Sequence, residues 1–154
     1  MHDEQISAVL DKMIYGVYVV TARKREQVGA LTASWLCQVS REPALMMVGV
    51  KKGRHSHDII SKGGVFAVNI LAEDQVDLAR RYASADKFQG DDFDTRDTGA
   101  PILKGAIAYL DCEVIQRLEA GDHTLFVARI DSGQVIRDAQ PLDSRALGES
   151  YQGI

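Results

Sequence analysis

Strand-length apolar segments recur down this chain, each cut off after five to nine residues by turn-forming chemistry. They run from Val17 to Thr21, Val28 to Ala33, Ala44 to Val50, Val65 to Ile70, Ile107 to Ile115 and Leu125 to Ile130, and all are rich in β-branched or aromatic residues. Punctuation separates them at Arg23 to Gln27, Glu42-Pro43, Gly63-Gly64, Gly99-Ala100-Pro101, Ala120-Gly121-Asp122 and Asp131-Ser132-Gly133. A further strand is expected at Gln134 to Arg137, before Pro141. So many strands in 154 residues must hide most of their edges, and curling into a barrel is the most economical way to do so. The expected fold is mainly β, a small barrel with peripheral helices. A doubly wound parallel sheet is the remaining alternative.

Helical periodicity is confined to three places. Ile6, Val9, Leu10 and Met13 space out one amphipathic helix over residues 4 to 14, expected to lie over a core and to end near Gly16. A short helix is expected from Ser56 to Ser61, with Ser56 as its N-cap, and another from Glu73 to Tyr82. Residues 84 to 98 form one long polar stretch, where Phe88 and Phe93 either cover a ligand or partner or pin the loop to its own domain.

The length suits one domain, residues 1–154. No apolar run approaches the ~20 residues that span a bilayer, and the acidic start Met1-His2-Asp3-Glu4-Gln5 lacks the architecture of a leader, so a cytoplasmic protein is expected. A net charge of −4 with no extended basic stripe gives nucleic acid binding no support. Cys37 and Cys112 stand alone, which excludes a Cys-x-x-Cys metal site and suggests two small buried hydrophobes.

Against that acidic background, Lys51-Lys52-Gly53-Arg54-His55-Ser56-His57 concentrates five residues able to carry positive charge into seven positions. The run leads directly into a helix start, where unpaired N–H groups and a partial positive charge favour phosphate. From the segment alone, a phosphate site and a solvated basic loop are equally open. Neither a Gly-x-Gly-x-x-Gly turn nor a P-loop is present, and Gly-x-Ser-x-Gly and His-Glu-x-x-His are absent as well. His55 and His57 find no third ligand nearby, so no metal is expected. His123, in Gly121-Asp122-His123-Thr124, reads by itself as a structural turn residue.

Taken in order, the segments Tyr15-Gly16-Val17-Tyr18-Val19-Val20-Thr21, Gly29-Ala30-Leu31-Thr32-Ala33-Ser34, Val39-Ser40 with Pro43, the basic run, Phe66-Ala67-Val68-Asn69-Ile70-Leu71 and Gly121-Asp122-His123-Thr124-Leu125-Phe126 resemble the flavin reductase-like family of FMN-binding split β-barrels. The resemblance covers nearly the whole chain. It implies that Thr32, Ala33, Ser34, Trp35 and Leu36 line the isoalloxazine and ribityl side of FMN, with backbone amides facing N5 and O4. Lys51, Lys52, Arg54, Ser56 and His57 would surround the FMN phosphate, in agreement with the charge argument. Asp86, Lys87 and Phe88 match a segment that approaches the ring, often from a neighbouring subunit. His123 matches a histidine near the flavin or nicotinamide and is the candidate catalytic residue. Trp35 stands where many relatives carry a smaller or different residue, and its indole could stack near the flavin or narrow nicotinamide access.

The resemblance further implies NAD(P)H-dependent flavin reduction by hydride transfer to N5, and a homodimer. The rival from another class is a flavoredoxin-type FMN electron carrier that works with a redox protein partner. A split barrel holding haem or a pyridoxal-type phosphate ranks below both.

Overall fold

The computed structural model of the chain describes residues 3–84 and 92–148. Helix α1 spans Glu4–Leu10, and Asp3 caps it by accepting from the Gln5 amide at 2.7 Å. It is shorter than its periodicity suggests, because the Lys12 and Met13 amides bond back only three residues, to Val9 and Leu10, and tighten the chain out of the helix. None of its residues is buried, so the expected packing over a core is not what forms.

The strands follow as β1 (Tyr18–Lys24), β2 (Gln27–Ala33), β3 (Leu36–Ser40) and β4 (Leu45–Lys51), then helix α2 (His55–Gly63) and β5 (Val65–Ile70). Helix α3 (Val76–Ser84) leads to β6 (Phe93–Thr95), β7 (Pro101–Leu103) and the long arms β8 (Ala108–Ala120) and β9 (His123–Val135). A 3-10 turn at Ser144–Leu147 follows. Seven strands form one sheet in the order β2-β1-β5-β8-β9-β4-β3, and every pairing is antiparallel, which removes the parallel alternative. The two edge strands, β2 and β3, are consecutive in the chain and joined through Ser34 and Trp35 alone. Such a short link forces the sheet to curl until its edges meet, yet no ladder closes between them. The fold is a split barrel with peripheral helices, and the crossover lies in the split.

Side-chain alternation builds a core on each face of the sheet. Val20, Ala22, Leu31, Ala33, Val48, Val50, Phe66, Val68 and Phe126 fill the interior with Ile59 and Ile60 of α2. Val17, Val19 and Ala30 point the other way and pack against Ala79 and Tyr82 of α3, with Phe93, Leu103 and Leu142. Phe93 is therefore a domain pin, its ring 6.2 Å from that of Tyr82. Phe88 lies outside the described residues, as do Asp86 and Lys87.

Two further expectations change, and one strand forms where none was expected. Asp131-Ser132-Gly133 is no turn: β9 runs through it, and Gly133 is there because a Cβ would lie 2.9 Å from the Tyr109 carbonyl and 2.7 Å from Leu110 Cδ2. Strand β3 forms from residues that are mostly exposed, so it lacks an apolar signal. Cys112 is buried, and burial pushes its thiol up to about 12, but Cys37 is exposed on the edge strand β3. Among the described residues no helix is long and apolar enough to cross a membrane.

Candidate functional site

One end of the barrel collects the charged and aromatic residues. Strand β4 ends at Lys51, which pairs with His123 at the start of β9, so the basic turn and the histidine enter this end from adjacent strands. The Lys52 amide donates to the Asp122 carbonyl at 2.9 Å and ties the turn after β4 to the β8–β9 hairpin. The Trp35 carbonyl accepts from the Gly49 amide at 2.8 Å, which fixes the crossover against β4. Its indole lies 4.6 Å from the His123 ring, centroid to centroid, tilted by 47°. His123 is itself buried, with Nδ1 2.7 Å from Asp122 Oδ1. An ionised carboxylate only accepts, so His123 donates from Nδ1. That bond holds the Asp122 carboxyl below its usual range.

Helix α2 starts behind this group. Its N-cap is Arg54, in extended backbone and without a side-chain cap bond, so the expected cap at Ser56 is corrected. Gly53, with φ at +90°, makes the turn that allows Arg54 this position, and Ser56 falls inside the first helical turn. Ser56 is fully buried against Gly29 of β2, where an added Cβ would lie 3.1 Å from its Oγ. His57 bonds Thr124 Oγ1 through Nε2 at 2.7 Å, and its ring sits 5.4 Å from Phe126. Burial lowers its pKa first of all, and Lys52 and Arg117 lower it further against the opposing pull of Glu119 and Asp58.

The fold thus brings together Trp35, Lys51, Lys52, Arg54, Ser56, His57 and His123, although sequence separates them by up to 88 positions (123 − 35). Ala33 belongs to the interior core, and Leu36 packs against it opposite Val48. The Thr32 hydroxyl turns to the other face, where it donates to the Ala79 carbonyl of α3 at 2.5 Å, so that side chain is occupied by a helix contact. Ser34 is 2% exposed at the split. Two further polar groups are given no role by the sequence: Glu119, ion-paired with Lys52, and Thr124, which lies opposite Glu119 in the hairpin register. Only the tight turn at Gly121, φ +61°, hints from sequence that residues 119 and 124 face each other.

The donor set suits a flavin mononucleotide. Ser34 Oγ and Ser56 Oγ are buried without a hydrogen-bond partner, and a buried hydroxyl left so is costly unless something else meets it. Both lie on segments at this end, beside a helix start and a cationic turn, which offer what a phosphate ester needs.

Residues 10–146 match the family model described as flavin reductase like domain. The chain is 33% identical over 141 residues to diflavin flavoprotein A 1 of Synechocystis, a match covering 88% of this chain and 25% of that protein. It therefore spans about a quarter of the length of that relative. Among solved structures, the flavin reductase PheA2 in its native state superposes with a TM-score of 0.82 at 29% identity, covering 93% of each chain. An NADH:FAD oxidoreductase from Streptomyces globisporus superposes with a TM-score of 0.77 at 29% identity, covering 86% of this chain and 82% of that one.

Proposed function

The chain belongs to the flavin reductase-like domain family, and from that premise we propose that it binds FMN and reduces it with NADH or NADPH. The observation that carries this reading is the meeting of a cationic helix start with a tryptophan–histidine pair at the split of the barrel. Lys51, Lys52 and Arg54, with the first N–H groups of α2, would hold the phosphate by charge and hydrogen bonds together. Ser34 and Ser56 would give their unpartnered hydroxyls to the same ligand. Lys87 and Phe88, proposed from the sequence to approach the ring, stay in that role.

A bound isoalloxazine would supply the electron-accepting N5 for hydride leaving C4 of the nicotinamide. The work of this chain is orientation. Trp35 and His123 would wall the site, and Asp122 fixes the orientation of the His123 ring through Nδ1. Hydride moves as such, so no side chain need supply or remove a proton in that step. NADH as the donor finds support in the likeness to the NADH:FAD oxidoreductase of Streptomyces globisporus. Pairing of two copies belongs to the same proposal.

The second reading, an FMN carrier reduced through a redox protein partner, draws on Trp35, whose indole beside His123 would narrow nicotinamide access. Anaerobic absorption spectra of the protein with FMN, before and after NADH and then NADPH, separate the two. Rapid bleaching of the flavin bands is the expected result. Bands that persist favour the carrier, and failure to bind flavin removes both.

A further inference from the structure

We propose that Glu119 is a resident counter-anion of the phosphate cradle, competing with the flavin's phosphate for Lys52 and so holding FMN loosely enough to exchange. The inference rests on the FMN reading above and deepens it, because it addresses how firmly the ligand stays.

Glu119 lies near the end of β8 and reaches across to the basic turn, where it pairs with Lys52. The pair is held from both sides. Lys52 is anchored through its own amide to the Asp122 carbonyl, while Thr124 sits opposite Glu119 in the hairpin and donates its hydroxyl to the carboxylate. Thr124 in turn accepts from His57, whose Nε2 is 2.7 Å away. A directional chain therefore runs from His57 on α2 through Thr124 to Glu119 and ends on Lys52. The terminal acceptor of that chain is a carboxylate placed where a phosphate would need the same ammonium group.

Two anions cannot both be well satisfied by one lysine. A phosphate that enters must take Lys52 from Glu119 and then sit beside the displaced charge, so each anion weakens the hold of the other. A ligand without a phosphate meets no such opposition. Glu119 thus lowers affinity for the phosphate end specifically, as suits a flavin that leaves after reduction. The pair is itself exposed, Glu119 by 69%, and so is worth little to the stability of the fold; its effect is confined to a ligand that brings a second anion to Lys52.

The test compares FMN and riboflavin, titrated by flavin fluorescence, in the wild type, Glu119→Gln, Lys52→Met and the double variant. Glu119→Gln is expected to bind FMN roughly three- to tenfold more tightly, with slower release and unchanged riboflavin affinity. Unchanged riboflavin binding also reports that the variant is folded. The gain is expected to shrink in the Lys52→Met background. Equal FMN affinity in wild type and Glu119→Gln, weaker binding in the variant, an equal gain for riboflavin, or an equal gain with and without Lys52 each overturns the competition while leaving the FMN reading intact. A wild type that binds no FMN overturns that reading, and this inference with it.

Discussion

His57 is half-buried beside Phe126 and bonded to Thr124, and desolvation there disfavours its charged form. Its folded pKa lies below the unfolded value, so between the two the unfolded chain binds more protons, and stability rises with pH across that window. As pH falls from about 7 through about 6.5, the wild type is expected to lose thermal stability in a way that His57→Asn does not. Melting temperatures of both proteins between pH 5 and 8 measure the difference, and parallel profiles would refute it. Arg54 makes a separate prediction: Arg54→Ala would remove the charge proposed to meet the phosphate at the start of α2, and FMN affinity is expected to fall about tenfold with the melting temperature little changed. Equilibrium titration decides this, and unchanged affinity would count against the phosphate cradle. The Lys51 to His57 run was legible in the sequence because its charge is local. Glu119 was not, since its place opposite Thr124 depends on hairpin register. Ser56 was legible as a helix-start residue, but its burial under Gly29 required the tertiary fold.

Helix α2 positions the basic turn, and it does so by lying hard against β1. A Cβ on Gly63, at the end of the helix, would come within 1.9 Å of the Arg23 carbonyl oxygen, which is backbone and cannot swing aside. Gly63→Ala must therefore push the helix off the strand, at a cost of about 1–3 kcal/mol or more. A lowered denaturation midpoint together with weaker FMN binding is the expected outcome, because the displaced element carries the cradle; a variant as stable as the wild type would show that the contact relaxes. Elements with dense apolar patterns, such as β4 and β5, were readable to within a residue or so. Strand β3 was not, because an edge strand with exposed Cys37, Gln38 and Val39 has no buried face to announce it. The long β8 and β9 were read short because their outer halves are exposed and a register shift interrupts the alternation.

The chain's beginning is fastened late in its sequence: the Tyr15 amide donates to Ser144 Oγ at 3.0 Å, the Ser144 amide to the Tyr15 carbonyl at 2.8 Å, and the Val17 amide to the Leu142 carbonyl at 3.2 Å. The described residues before Tyr15 stand outside that clasp. Helix α1 has seven residues and buries none of them, whereas an isolated helix below about 12–15 residues is marginal in water. Ile6, Val9, Met13 and Ile14 are each more than half exposed, a concentration of apolar surface in one short segment. A second copy covering that face would supply the packing that α1 lacks within its own chain. Light scattering across a concentration series is therefore expected to give twice the chain mass. Val9→Glu, which places a charge in the middle of the face, is expected to raise the dimer dissociation constant by roughly tenfold or more. Each monomer should then retain its barrel, because α1 contributes to neither core. A wild type that stays monomeric throughout would refute the pairing, and a Val9→Glu protein with undiminished dimerisation would move the interface away from α1.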